Sequence, residues 1–341
     1  MSESTFDFHG WVGFSLQTDD PRAEAFYQAE YGPAQGALID SAPRVSLTWN
    51  SRAEHGNGHR ASHKVLARWS YRLEENEREF RIRAAGNRWA LPMVHHMLVH
   101  PALRLMASRS GTLLLHASAV ARGDRSLILT GAGGVGKTTT SSLVLQNGSQ
   151  EWRPHADDYV FVRDGRTYAY PTRSHLYRDL LRWIPEARAR LTWRQRLGLQ
   201  VYGRMRSWTR DGIKWPVRVP PATLWPGRPV VSEARLAAVV LLGRSDDTEP
   251  RLRRVENPES VVAELIAMNF GEAETFLRLA ERASLWAADG RTSWTDRERD
   301  LLRHGLQAAA VYRLDLPRGI APSTALGERL FGLLAPLVEA S

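Results

Sequence analysis

Apolar residues recur along this chain with two different periods. Over residues 6–90 they alternate in short runs, the spacing of strands with one buried face. Phe6–Leu16 alternates in part, as do Val45–Trp49, Val65–Tyr71 and Phe80–Arg83. Residues 51–63 are polar, contain Gly56 and Gly58, and read as a loop. Residues 93–108 carry a helical pattern, with Pro101 predicting a kink or boundary. Leu113–Val120 reads as a strand of the buried type, joined by a Gly123-Asp124 turn to Ser126–Thr130. Asp157–Val162 and Thr167–Tyr170 pair by pattern around Asp164-Gly165. A strand follows at Leu236–Leu242, then helices near 258–285 and 295–309, a strand at Val311–Leu316, and a last helix from about Thr324. Strands alternating with helices predict an α/β fold, and no internal repeat is visible.

Residues 175–230 interrupt this pattern. Arg, Trp and Leu recur there at mixed spacing, and Pro216, Pro220, Pro221, Pro226 and Pro229 close the stretch. It reads as one or two amphipathic helices followed by an extended, proline-stiffened segment. The expected organisation is an N-terminal β-rich domain over 1–110 and a second domain over 111–341, with a basic Trp/Arg-rich insertion at about 175–230.

Composition narrows the class. Of 341 residues, 43% are hydrophobic and 24% charged, as in soluble globular proteins. No apolar run approaches the length of a membrane span, and Met1–Thr5 lacks the basic-then-apolar pattern of a signal peptide. With no cysteine, disulfides, zinc–thiolate sites and thiol nucleophiles are excluded, and cytoplasmic residence is expected. The net charge of +9 is concentrated: Arg178 to Arg218 holds eleven Arg or Lys against three acids, a net of +8. A local basic block points to one surface with an acidic partner rather than to general affinity for nucleic acid.

The strongest chemical signal is Gly131-Ala132-Gly133-Gly134-Val135-Gly136-Lys137-Thr138, a complete G-x-x-x-x-G-K-[ST] loop. It follows the Ser126–Thr130 strand and opens into a helix-compatible stretch beginning Thr138-Thr139, the context that separates a working P-loop from an ordinary glycine turn. Glycines let backbone N–H groups converge on phosphate oxygens, and the helix N-terminus adds partial positive charge. Lys137 would reach the β- and γ-phosphates, and the Thr138 hydroxyl would ligate Mg²⁺. Twenty residues beyond Lys137, Asp157-Asp158 open the next strand. One carboxylate there can hold Mg²⁺ while the other accepts a proton from an attacking hydroxyl; the plainer reading is a solvated Asp turn.

Taken together, Leu115-His116-Ala-Ser-Ala-Val120, the loop, and Ala156-Asp157-Asp158-Tyr-Val resemble the catalytic core of HPr kinase/phosphorylase. The stretch also resembles related kinases that tailor peptides such as lasso peptides. The resemblance covers roughly 113–172 and returns weakly at Ala237–Leu242 and Val311–Pro317. It implies a phosphoenolpyruvate-carboxykinase-like core, with ATP and Mg²⁺ as cofactors. It makes His116 the active-site histidine, Lys137 the phosphate-binding lysine and Thr138 the metal-ligating hydroxyl in place of the more usual Ser. Asp158 becomes the general base and Asp157 its metal-proximal neighbour. The family's later metal-binding Glu and its HPr-engaging C-terminal signature are not found, and neither 1–110 nor the basic block belongs to the pattern. Kinase chemistry is therefore expected, with an acceptor other than HPr.

Other readings compete at particular residues. ParA/MinD-type ATPases share the loop but place a lysine where Ala132 stands, and NB-ARC-type signalling NTPases carry their Asp-Asp strand much farther downstream. His55, His59 and His63 are four apart, as metal ligands on a helix would be, yet the glycines between them favour a solvated loop. His95, His96 and His100 read as packed or partly exposed helix residues. The basic block, with Trp183, Trp193, Trp208 and Trp215, reads as a structural insertion, an acidic-acceptor surface, or a nucleic-acid or membrane surface. The expected function is an ATP- and Mg²⁺-dependent kinase acting on a hydroxyl, with nucleotide and an acidic or carboxylate-bearing peptide or protein as partners. Homo-oligomerisation is left open. The alternative is a regulatory ATPase whose basic block binds a protein or nucleic-acid partner.

Overall fold

Alternation in the first part of the chain builds a sheet with one dry and one wet face. The computed structural model describes residues 2–51, 60–64, 66–209, 215–286, 290–307, 309–319 and 322–339. Two units divide it, 1–114 with 262–303, and 115–261 with 304–341. In the first, β1 (Ser2–Phe8), β2 (Val12–Thr18), β3 (Arg44–Asn50), β4 (Arg60–Lys64), β5 (Ala67–Glu75) and β6 (Glu79–Gly86) lie in the order β1-β2-β3-β6-β5-β4. β3 runs parallel to β2 and β6, and the other pairings are antiparallel. Register sets Phe14, Val45 and Phe80 in one row and Leu16, Leu47 and Ile82 in another. All six are at most 1% exposed, and burying each such side chain stabilises by about 1.5–3 kcal/mol. The row between them, Ser15, Ser46 and Arg81, faces the opposite side.

Several elements differ from expectation. Phe6–Leu16 is a hairpin rather than one strand, because His9 and Gly10 take positive φ (60° and 74°) and turn the chain back. Helix Pro21–Tyr31 falls in a stretch read as strands. Asp20 caps it by accepting from the Arg22 N–H, and Tyr27 and Tyr31 pack on Phe14 at 4.8 and 5.6 Å. Residues 60–63 of the expected loop belong to β4, and 52–59 lie outside the described residues. Helical backbone runs from Ala90 to Arg109, with a π segment at His95–Val99 just before Pro101, which lacks the N–H a regular turn needs there. The region is therefore mixed α/β rather than β-rich.

Residues 262–303, expected in the second domain, belong to the first unit. Their apolar positions are the reason. Phe276 of helix Pro258–Arg282 packs on Phe80 at 5.6 Å, and the Tyr71 hydroxyl donates to the Leu279 carbonyl. Arg104 enters the same layer, 3% exposed, and pairs with Glu298 of helix Gly290–Gln307 through two hydrogen bonds. It donates a third to the Asn269 carbonyl and stacks over Phe270 and Trp294 at 4.7 and 5.0 Å. Arg104 and Glu298 match each other's charge, the condition under which burial is tolerated.

The second unit is built on β7 (Leu113–Arg122), β8 (Arg125–Thr130), β9 (Trp152–Ala156), β10 (Tyr159–Arg163) and β11 (Arg166–Ala169). β12 (Ser174–Leu176) and β13 (Val217–Val219) form a separate antiparallel ribbon, and β14 (Glu233–Ser245), β15 (Arg251–Arg254) and β16 (Ala310–Pro317) complete the set. The large sheet has the order β11-β10-β7-β8-β14-β16-β15, with β9 on β7. β8, β14 and β16 run parallel side by side, so their carboxyl ends share one edge. Helices Lys137–Asn147 and Thr324–Leu334 join one core with the sheet, through Leu143, Val144, Leu129, Val240 and Leu330.

The 175–230 stretch has a core of its own. Leu176, Leu180, Ile184, Leu199, Val219 and Leu224 bury together. Helix Trp193–Trp208 begins at a capping box between Thr192 and Gln195. The stretch expected as extended and proline-stiffened is extended at β13 but also holds a one-turn helix, Pro221–Leu224. Among the described residues, no helix is long and apolar enough to cross a membrane.

Candidate functional site

At the shared carboxyl edge, β8 runs into the glycine loop. Gly131, Gly134 and Gly136 adopt φ of 143°, 80° and 116°, a region L side chains rarely enter. A Cβ on Gly131 would lie 2.8 Å from the Leu242 carbonyl oxygen, so β14 fixes the loop's near wall. Ala132, Gly133 and Gly134 are exposed at the crest, while Val135 anchors in the core below. Gly136 precedes helix Lys137–Asn147 and has no side chain to cap it, so the N-cap residue takes up none of the helix's N-terminal donors. Lys137 is 8% exposed and its Nζ donates to the Gly131 carbonyl at 2.9 Å, folding across the loop. Thr139, in the first helical turn, is half-buried.

On the β7 side the two aspartates point to different partners. The His175 backbone N–H donates to the Asp157 Oδ2 at 2.9 Å, and the Thr138 hydroxyl lies near enough to the same carboxylate to help hold its pKa down. Asp157 keeps part of its surface, but its carboxyl is packed among protein atoms. This desolvation pushes its pKa up, the nearby His175 opposes the rise, and Asp158 adds to it. Asp158 lies between two imidazoles, His116 Nε2 at 3.3 Å and His175 Nδ1 at 3.4 Å, with the three side chains 15–29% exposed. The His116 ring stacks on Tyr159 at 5.0 Å. Backbone bonds hold the pair in place: Ala117 N–H donates to the Asp158 carbonyl at 3.1 Å, and Ser118 Oγ donates to the Asp157 carbonyl.

The structure thus brings His116, Lys137, Thr138, Asp157 and Asp158 to one end of one sheet. It adds residues that sequence reasoning missed. His175 sits on β12, directly across from Arg218 on β13. Tyr177 follows, its hydroxyl pKa raised by burial and then by the Asp158 charge, with Arg206 and Arg218 opposing. The front edge of the basic block is therefore a wall of the site. On the other side of the loop, Arg244 at the end of β14 places Nη2 3.4 Å from where a Gly136 Cβ would sit. Its position at the end of the strand beside β8 was a readable signal, whereas nothing in the spacing marks His175.

Other candidates fall elsewhere. His55 and His59 lie outside the described residues, and His63 is exposed on β4. His95 and His100 are buried in the first unit. Among the described residues, no group of three or more His, Asp or Glu is arranged to hold a metal ion by itself. In the basic block, Arg206 pairs with Asp179 and Arg190 donates to the Leu224 carbonyl. Trp193 and Trp208 are 64% and 88% exposed, so the helix does not bury its tryptophans. No family model matches the sequence, and no curated protein matches it.

Proposed function

We propose that this chain is an ATP- and Mg²⁺-dependent kinase, with an HPr-kinase-like P-loop core, that phosphorylates a hydroxyl on a peptide or protein. One observation carries the reading. The adjacent carboxylates divide their work, Asp157 toward the Thr138 hydroxyl of the loop and Asp158 toward two imidazoles on an accessible surface. A switch ATPase has no need of a second carboxylate held ready for a substrate hydroxyl.

In this reading the loop N–H groups and Lys137 hold the β- and γ-phosphates. The Thr138 hydroxyl and the Asp157 carboxylate fit Mg²⁺, which takes oxygen donors and shares its shell with phosphates; the ion supplies charge neutralisation at the phosphate oxygens. Asp158 accepts the proton of the acceptor hydroxyl as its oxygen bonds to the γ-phosphorus, and the bond to the β–γ bridging oxygen breaks to release ADP. His116 and His175 fix the orientation of Asp158 from both sides. Arg218 and Arg206, close enough to bias Tyr177, supply the positive wall that suits an acidic acceptor.

The test is incubation with Mg·[γ-³²P]ATP and an arrayed panel of acidic Ser- and Thr-containing peptides. Label on a peptide hydroxyl is expected. Label released only as free phosphate would favour the regulatory ATPase, whose partner surface would be the exposed face of helix Trp193–Trp208. No nucleotide turnover or binding at all would remove both.

A further inference from the structure

The catalytic groups occupy one flank of the glycine loop, and the opposite flank holds an unassigned cavity. β8, which carries the loop, has β7 on one side and β14 on the other. His116 and the Asp157-Asp158 pair lie toward β7. Beyond β14, a cavity of about 510 Å³ is lined by Trp183, Arg244, Arg318 and Gly319, within the size range of small-molecule sites. It begins at the loop itself, since Arg244 Nη2 is 3.4 Å from the Cβ position of Gly136.

We infer that this cavity is the nucleoside site, taking the purine ring against Trp183 and the ribose and α-phosphate beside Arg244 and Arg318. The inference rests on the kinase reading. A triphosphate lying along the loop with its γ end at the carboxylates must leave the loop on the β14 side. The cavity offers what a nucleoside needs there. Trp183 is half-buried, packed against both the core under the loop and the core of the basic block, so its ring is held as a stacking surface. Arg244 is exposed, steadied by donation to the Pro317 carbonyl at 3.1 Å, and pairs with no carboxylate among the described residues. Arg318 is 68% exposed and tethered to Asp246 at 3.6 Å, a second cation at the rim. Gly319 takes φ 67° and presents no side chain to the space. Trp183 belongs to the basic insertion, so the same insertion that meets the carboxylates through His175 reaches the nucleotide's other end.

Equilibrium binding of ATP and of inorganic tripolyphosphate, measured with Mg²⁺ on the full chain, separates the outcomes. Trp183→Ala should weaken ATP about tenfold while leaving tripolyphosphate within twofold, and Trp183→Phe should restore most of the ATP affinity. Equal ATP affinity in Trp183→Ala and the parent overturns the inference and leaves the kinase reading standing. Failure of the parent to bind either ligand overturns the kinase reading itself. Because Trp183 also packs two cores, photolabelling of the unmodified chain with 8-azido-ATP gives a second measurement. Adducts on the peptides containing Trp183 or Gly319 are expected, and adducts confined to those containing His116 or His175 overturn the assignment.

Discussion

The two sheets of this protein treat charge in opposite ways. In the first unit charges are matched where they stand: Glu79 takes Arg81, Arg44 and Ser46 on the wet face, and buried Arg104 takes Glu298 beneath the dry one. In the second, groups that oppose one another gather at a single edge. Two carboxylates sit side by side, one with its pKa raised, beside a lysine folded onto a backbone carbonyl and glycines at positive φ. A fold chosen for stability alone would have no reason to keep that edge. The contrast teaches where to look for chemistry in this molecule: at the edge that is locally uncomfortable, not at the larger buried ion pair.

Five variants test the contrast. The largest effect is expected from Lys137→Ala, which should nearly abolish nucleotide turnover, by about three orders of magnitude or more, without unfolding. Wild-type turnover in a folded variant would show the loop to be an ordinary turn. Next, Asp158→Asn should retain Mg·ATP binding while transfer falls roughly 10²- to 10⁴-fold. Unchanged transfer rates would exclude the base role. In the first unit, Arg104→Ala should cost about 3–5 kcal/mol in denaturant unfolding and leave nucleotide affinity intact, while Arg104→Met combined with Glu298→Leu should recover much of the loss. If Arg104→Ala is no less stable than the parent, the matched sheet is not the structural one.

The smallest effect runs against intuition. Burial raises the pKa of Asp157, so the folded state loses stability as pH climbs past the ordinary aspartate value of 3.8 toward the raised one. Asp157→Asn removes that penalty. Its Tm at neutral pH should rise, the gain fading as pH falls toward 3.8, while turnover should need more Mg²⁺ than in the parent. A Tm difference that does not vary with pH would assign the change to packing instead of charge.

Much of the candidate edge was legible because its residues lie in one short stretch. His116, the glycine loop and the Asp pair span forty-three residues of continuous chain, and the hairpin at Gly123 together with the pairing of β9 on β7 folds that stretch on itself. What stayed hidden was long-range. His175 reaches Asp158 from a short ribbon whose partner strand, β13, lies about forty residues on, and strand pairing at that distance leaves no periodic trace. Helix Pro21–Tyr31 did leave one, Ala23, Tyr27 and Tyr31 every fourth residue behind an Asp-Pro start, obscured by the alternating stretch around it. β15 reads Arg-Leu-Arg-Arg, a sequence no hydrophobic pattern would select, and stands only because it edges the sheet against β16.

The discontinuity of the first unit has a consequence for how the chain is made. Arg104 must wait for Glu298, 194 residues later, before its charge has a partner. Between the two pieces of that unit the ribosome has to produce the whole of 115–261. At roughly 5–20 residues per second, the delay is on the order of 7–30 s. Through that interval the nascent N-terminal sheet lacks Phe276 over Phe80, a dry surface open to wrong neighbours. A chain truncated anywhere before residue 262 would lose its first unit as well as its last helices. Damage within 262–303 would therefore surface as misfolding at the N-terminal end of the chain.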